Sequence, residues 1–210
     1  MSNYGNFGTT MTDTNISNDS TSDVIPYPSH EFEFRSDTEL QNGYVVDTFN
    51  SSIVARVRGS TKLTSDGCVF DTTDGGTMWT SHTYLLGGIF SIELYIDYRK
   101  GWNWGKFFEF KNVIGRRKFA DAIILQRKSN SNHIRFGPQQ VNNVIPNGTY
   151  HIVVTYNSVT MQQNLYINNT RYTKNNVNKY PVKERSYMRI GHRGDNLSDR
   201  INGTYKYFRI

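Results

Sequence analysis

Two carboxylates, Glu93 and Asp97, lie four positions apart in the most regular strand pattern of the sequence. Apolar and polar residues alternate over 89–98, which predicts a β-strand with both carboxylates on one face. At the rise of a strand they stand roughly 13 Å apart, whereas glycoside hydrolysis uses two carboxyl groups about 5–10 Å apart. We therefore interpret them as surface carboxylates. Glu109, on another predicted strand, is the residue that could face them.

The loop after this strand carries residue types that bind sugars. Trp102 and Trp104 flank Asn103 between two glycines, with Arg99 just before them. Indole rings stack on sugar faces, and amide or guanidinium groups donate directional hydrogen bonds to hydroxyls. We predict a ligand site formed by these four residues, with the alternative that one of the two tryptophans packs as a lid on the core. The remaining tryptophan, Trp79, is assigned to the core.

The cysteine and the histidines show no pattern of a nucleophile or a metal centre. Cys68, the one cysteine, lies between apolar neighbours, which predicts a small buried side chain and excludes an internal disulfide. The five histidines have neither H-E-x-x-H nor H-x-H spacing. No catalytic residue is assigned, and the protein is expected not to be an enzyme.

The charge of the chain favours an acidic partner. Its 210 residues include 24 Lys and Arg against 18 Asp and Glu, a formal net charge of +6. The basic residues are scattered except in 111–118, so a nucleic-acid partner is not expected. No apolar run is long enough to span a membrane, and the N-terminus lacks the pattern of a secretory signal. We expect cytoplasmic synthesis, with assembly into a virion or display on a particle surface as a further option.

Composition divides the chain in two. Residues 1–29 are rich in Ser, Thr, Asn and Asp, which predicts a flexible polar arm. Residues 30–210 contain short alternating segments separated by turn residues, which predicts an all-β, two-sheet antiparallel sandwich with minimal helix. The clearest unit is a hairpin of residues 148–156 and 164–169. Its first strand is apolar or β-branched on both faces, so we expect it to be covered on both sides.

Several segments resemble motifs of the concanavalin A-like lectin and glucanase superfamily, within its laminin G-like group. Residues 90–96 resemble the F-T-I-E-x-W-V strand of that group, with Tyr95 in place of Trp, and 165–169 resemble L-Y-I-N-G with Asn169 in place of Gly. The resemblance implies a jelly roll of two curved antiparallel sheets from about residue 31 to the end. The segments that carry it are 65–71, 90–96, 148–156, 165–169, 189–191 and 202–210.

The resemblance implies less about activity, because the family includes sugar-binding modules, adhesion domains, glycan-cleaving enzymes and particle-surface proteins. Its glucanases carry E-x-D-x-E or E-x-D-x-x-E on one strand face. Here Tyr95 stands where the central acid is required, so the glucanase motif is absent.

Calcium is the ion usual in this family, and its ligands are loop oxygens. The candidate ligands are Asp71 and Asp74 in one predicted loop and Asp195, Asn196 and Asp199 in another. The alternative is that these side chains form local Asx turns. We expect no required cofactor, with calcium as the candidate ion.

The sequence favours a lectin-like, non-enzymatic recognition module that binds a glycan or a protein surface. The alternative is a structural or assembly protein, such as a minor capsid or surface component of a large virus particle. In that case the arm would contact particle or homo-oligomer neighbours, and the lack of disulfides and of a signal pattern fits it. A glycan-cleaving enzyme ranks third.

The arm is predicted to contribute little to stability. Deleting residues 1–22 should leave the melting temperature nearly unchanged, because few contacts would be lost. Scanning calorimetry of the full and shortened chains measures the difference. A fall of about 10 °C or more would place these residues in the folded core.

Overall fold

The computed structural model describes residues 28–34, 44–71, 76–101, 104–112, 122–128, 132–191 and 200–210. Within these ranges the chain forms eighteen β-strands and no helix. No helix of this part of the chain is therefore long and apolar enough to cross a membrane. The predicted arm lies outside the described residues except for Pro28 and Ser29.

Most of the strands are short and follow one another through brief turns. Their bounds, in chain order, are β1 Glu31–Glu33, β2 Tyr44–Val46, β3 Val54–Arg58, β4 Lys62–Thr64, β5 Gly67–Phe70, β6 Thr77–Thr80, β7 Tyr84–Leu86, β8 Ile89–Gly101, β9 Lys106–Lys111, β10 Ile123–Lys128, β11 His133–Phe136, β12 Gln139–Val141, β13 Gly148–Asn157, β14 Gln162–Ile167, β15 Thr170–Lys174, β16 Lys183–Arg185, β17 Tyr187–Ile190 and β18 Ile201–Arg209.

The strands form two large sheets that pack face to face. The first sheet has the order β15-β14-β13-β8-β18-β5-β4, and β1 also pairs with β18. The second sheet has the order β12-β11-β10-β9-β17-β6-β3-β2, and β16 and β7 form a small separate pair. The predicted all-β, two-sheet antiparallel sandwich is confirmed.

The hairpin predicted most clearly, β13 and β14, lies in the first sheet. β13 pairs along its full length with β8 and, on its other side, with β14. Its inner face is buried, but its outer face, with His151, Val153 and Thr155, is only half-buried. The expectation that both faces are covered is therefore wrong, because the sandwich covers only the inner face of this sheet.

Aromatic side chains join the two sheets. Phe208 of β18 meets two rings of β9, with centroids 5.6 Å from Phe108 and 6.2 Å from Phe110. Tyr84 of β7 packs edge-on against Phe110 at 5.3 Å. Full burial of one such apolar side chain contributes about 1.5–3 kcal/mol. These contacts fix the separation of the sheets.

Cys68 lies in this core and is fully buried, as predicted. Burial raises the pKa of its thiol well above the usual range. Because the thiolate is the reactive form, the side chain acts as a small apolar residue.

Gly191 allows the chain to leave β17 against the core. Its φ is +89°, and a Cβ atom at this position would lie 2.4 Å from the ring of Phe70. Its amide donates to the Phe107 carbonyl at 3.4 Å, and its own carbonyl accepts from the Ile201 amide at 3.0 Å. The position therefore combines a conformation that favours glycine with a close approach to an aromatic ring.

Gly191→Ala is predicted to lower the free energy of unfolding by about 2–5 kcal/mol. About 1–2 kcal/mol comes from the backbone conformation and about 1–3 kcal/mol from overpacking. Gly148→Ala is the matched control: its φ is +156°, but a Cβ atom there meets only Tyr150 at 3.5 Å. Urea denaturation measures both variants, and equal losses would contradict the predicted clash.

Two histidines meet where the chain enters the sandwich. His30 Nδ1 lies 2.7 Å from Asp47 Oδ2, and its ring centroid is 5.6 Å from that of His82. Both imidazoles contact Tyr84 edge-on, at 5.1 and 4.8 Å. Burial and the neighbouring His30 lower the pKa of His82, and the Asp47 carboxylate only partly opposes them.

Stability should therefore fall as His82 becomes protonated. Its pKa is lower in the folded state, so the unfolded chain binds the proton more readily, and stability is lost as the pH falls below about 6.5. The free energy of unfolding, measured from pH 8 to pH 5, should decline more steeply for the parent than for His82→Phe. Parallel curves would contradict the prediction.

Candidate functional site

The outer face of the second sheet carries side chains that the core does not use. Met78 of β6 and Ile190 of β17 are fully buried, so their neighbours Trp79 and Arg189 point to the other side. Trp79 is half-buried on this outer face, and the prediction that it belongs to the core is wrong.

Cross-strand pairing aligns six of these residues into one row across the sheet. Each member stands directly opposite the next on the neighbouring strand. The row crosses five interstrand spacings, about 24 Å. We call it the cross-strand row, and its members are Tyr44, Arg56, Trp79, Arg189, Glu109 and Ile124.

Trp79 is surrounded by cations and a second aromatic ring. The guanidinium carbons of Arg56 and Arg58 lie 5.7 and 5.2 Å from the indole centroid. The ring of Tyr187 lies nearly parallel to it, with centroids 6.1 Å apart and planes at 25°. Arg189 in turn lies 4.7 Å from the Tyr187 centroid. Cation–π contacts of this kind hold the arginines over the rings.

One end of the row borders an open groove of about 520 Å³, the Trp79 groove. Arg56 Nε donates to the hydroxyl of Tyr44 at 3.0 Å, which fixes both side chains. The groove is therefore polar and aromatic at once. Its lining residues are Tyr44, Val46, Val54, Arg56, Trp79, Thr80 and Ser81.

The other end of the row reaches a cavity of about 350 Å³, the Trp104 pocket. Trp104 is half-buried with a φ of +63°, an unusual conformation for a bulky residue. The Gly105 carbonyl, next in the chain, accepts from the Arg127 amide at 2.7 Å and ties the loop to β10. The lining residues are Trp104, Lys106, Ala122, Ile124, Gln126, Arg135, Gly137 and Lys179.

Two of the cations that line this pocket, Arg135 and Lys179, repel each other electrostatically. Arg135 Nε donates to the Gly137 carbonyl at 2.7 Å, which orients its guanidinium. The pKa of Lys179 is lowered by burial and by the positive charge of Arg135. The pocket is thus a site where positive charge is concentrated and partly desolvated.

Glu109 lies between the two cavities, and two neighbouring lysines neutralise its charge. It is fully buried, and its Oε1 accepts from Lys106 Nζ at 2.5 Å, while its Oε2 lies 3.7 Å from Lys111 Nζ. Glu93 and Asp97 lie on the first sheet, so the suggestion that Glu109 faces them is wrong. The structure does not assemble these three carboxylates into one site.

The charges of the two sheets differ. The described strands of the second sheet carry eight Lys and Arg but one carboxylate, that of Glu109. The strands of the first sheet carry seven Lys and Arg against four carboxylates. The positive charge of the domain is therefore concentrated on the second sheet, where it favours an acidic ligand.

Glu93 is held in bonds within the first sheet. Its Oε1 accepts from the hydroxyl of Tyr207 at 2.9 Å and lies 2.6 Å from His151 Nε2. Arg209 Nη1 lies 3.6 Å from its other oxygen. Arg99 and Asp97 also lie on this sheet, with 3.9 Å between their charged atoms, and both are largely exposed.

Of the predicted sugar loop, Trp104 lines a cavity and Arg99 does not, because Arg99 lies exposed beside Asp97 on the first sheet. Trp102 and Asn103 lie outside the described residues. The residues that sequence reasoning missed are those around Trp79. Among these residues, Arg56 and Arg58 are two positions apart in the sequence, and this spacing indicates that they share one face of a strand.

Among the predicted calcium ligands only Asp71 is described, and its carbonyl accepts from the Ser60 hydroxyl at 3.1 Å. Asp74, Asp195, Asn196 and Asp199 lie outside the described residues. Within the described ranges no group of three or more His, Cys, Asp or Glu side chains could hold a metal ion. Those ranges alone do not assemble a calcium site, so calcium binding stays a prediction.

No protein-family model and no curated protein matches the sequence. The structure, in contrast, resembles known ones. It matches the botulinum neurotoxin serotype D binding domain with a TM-score of 0.62 and 12% identity, over 87% of this chain and 47% of that one. It matches Trypanosoma rangeli sialidase, solved in complex with sialic acid, with a TM-score of 0.59 and 13% identity, over 86% of this chain and 30% of that one.

The chain shares a β-sandwich fold with these proteins. A third solved structure, the binding domain of botulinum neurotoxin serotype D/C VPI 5993, gives a TM-score of 0.59 at 16% identity, over 86% of this chain and 47% of that one. The present chain therefore spans less than half of each of these three chains. At such low identity the likeness shows the fold alone, and function has to be argued from the site.

Proposed function

We propose that this jelly roll is a non-enzymatic recognition module that binds glycan on the outer face of its second sheet. The observation that carries the proposal is the cross-strand row, which places an accessible indole between arginines. It also connects the Trp79 groove to the Trp104 pocket. Sugars offer weakly apolar ring faces and many hydroxyls, and this face offers flat rings and fixed hydrogen-bond donors.

The geometry suits an extended ligand. From Trp79 to Ile124 the row crosses three interstrand spacings, about 14 Å, so one oligosaccharide could contact both cavities. Arginine is well suited to such a surface because its planar donors point in fixed directions and its guanidinium stacks on aromatic rings. Two of the neighbours above are named as binding domains, and a binding role here is compatible with them.

The candidate acids support binding rather than hydrolysis. Glu93 accepts hydrogen bonds within the first sheet, and Glu109 pairs with two lysines on the second. A hydrolase would need one protonated and one ionised carboxyl group across the scissile bond. These carboxylates are instead engaged in contacts that stabilise the sandwich.

Trp79→Ala tests the proposal. A central aromatic anchor contributes about 1–3 kcal/mol, so binding to glycans selected on an array should weaken about 5- to 150-fold. Tyr166→Ala is the matched control, because Tyr166 also lies under an arginine, with Arg171 at 5.8 Å, but on the first sheet. Calorimetric titration measures affinity, and circular dichroism checks the fold of each variant.

Parent-like affinity of Trp79→Ala would exclude this face as the binding surface. An equal loss in Tyr166→Ala would show that the effect is not local to the second sheet. If the parent protein binds no glycan, the proposed function itself is contradicted.

A further inference from the structure

The Trp104 pocket differs from the Trp79 groove in its charges. In the groove, Arg56 and Arg58 lie over the indole ring. In the pocket, Arg135 and Lys179 face the cavity, and no carboxylate of a described residue pairs with either. Two neighbouring cations repel each other, and an anion bound between them would offset that repulsion.

Both cations stand on rigid supports. Arg135 lies on β11 and is oriented by the Gly137 carbonyl. Lys179 precedes Tyr180, whose buried ring stacks on Phe136 of the same β11 with centroids 5.6 Å apart and planes at 17°. The position of Lys179 relative to Arg135 is therefore set by packing. Preorganised charges lose little entropy when a ligand arrives.

The opposite side of the pocket is apolar. Trp104 and Ile124 are half-buried and border the cavity together with the buried Ala122. Gln126 adds a neutral donor and acceptor between the apolar and the cationic sides. At about 350 Å³ the cavity is at the small end of ligand pockets, which suits one sugar residue better than an oligosaccharide.

We propose that the Trp104 pocket is a subsite for a sugar residue with an anionic substituent, a carboxylate or a sulfate ester, within a longer glycan. Arg135 and Lys179 bind the anion, Trp104 and Ile124 contact the sugar ring, and Gln126 hydrogen-bonds a hydroxyl. The next residues of the glycan extend along the cross-strand row. The inference rests on the proposed function and specifies its ligand class.

The surface favours a glycan over nucleic acid. A strand of nucleic acid presents phosphates at regular intervals and is bound by basic residues along its whole path. Here the row is interrupted by Glu109, which Lys106 and Lys111 neutralise. Arg56 and Arg58 lie over the indole ring near one end of the row, whereas Arg135 and Lys179 border the pocket at the other end, which suits a single anionic group.

Matched probes test the subsite. Galacturonic acid oligomers and their methyl esters differ in the carboxylate charge and one methyl group per esterified residue, and a sulfated galactan oligomer and its desulfated form differ only in the sulfate. The parent protein should bind the charged form of one pair about tenfold more tightly than the neutral form, as expected for charge-assisted hydrogen bonds. The pair that shows the preference identifies the anion.

The variant Arg135→Gln/Lys179→Gln should lose this preference and bind charged and neutral forms alike. Lys174→Gln, an exposed lysine on β15 of the first sheet, is the control and should keep the preference. Titration calorimetry at about 0.15 M salt limits long-range charge effects. Circular dichroism verifies that each variant is folded.

The experiment distinguishes failure of the acidic subsite from failure of the proposed glycan-binding function. If the parent binds both members of each pair equally, the acidic subsite is overturned while glycan recognition stands. If Lys174→Gln lowers the preference as much as the double variant, the effect is general charge and the subsite is again overturned. If only a single-stranded oligonucleotide binds, or nothing does, both this inference and the proposed function are lost.

Discussion

The packing of Phe208 against Phe108 and Phe110 holds the two sheets at a fixed distance, and the arrangement of the outer faces depends on it. The phenylalanines of β9 and Phe208 of β18 fill the space between the sheets, and other side chains of β9 point outwards. Strand β9 shows the consequence directly. Its phenylalanines enter the core, and Glu109 and Lys111 are left on the face that carries the candidate site.

The two outer faces use their charges differently. On the first sheet, Glu93 collects contacts from His151, Tyr207 and Arg209, and Arg209 also pairs with Glu31. Arg209 is thus paired with two acids of the fold. On the second sheet the only carboxylate in the described strands is buried between two lysines. Arg56, Arg58 and Arg189 lie over the aromatic rings of this face.

Long strands could be predicted from the sequence and short ones could not. β8 and β13 alternate over ten or more residues, so their inner faces were evident before the structure. In β6, four residues long, Trp79 looked like a core residue. Its face is set by pairing with β3 and β17, which no local pattern shows. The Trp79 groove joins residues of strands that are not consecutive in the chain, such as Arg56 of β3 and Trp79 of β6. Trp104 could be predicted because the residues of its loop are contiguous in the sequence. Arg135 and Lys179 are far from that loop in the sequence, and only the three-dimensional fold brings them to the same pocket.

The hydrogen bonds between the two ends of the domain have a mechanical consequence. Ser29 and His30 donate their backbone amides to the Ile210 carbonyl, and β1 runs antiparallel to β18 from that point. A force that pulls residue 29 away from residue 210 loads these hydrogen bonds one after another, beginning at the open end, instead of all together. Strands β1 and β18 would therefore separate one hydrogen bond at a time, at low force. A sandwich with a well-packed aromatic core can therefore be thermodynamically stable and still yield easily when it is stretched between these two residues.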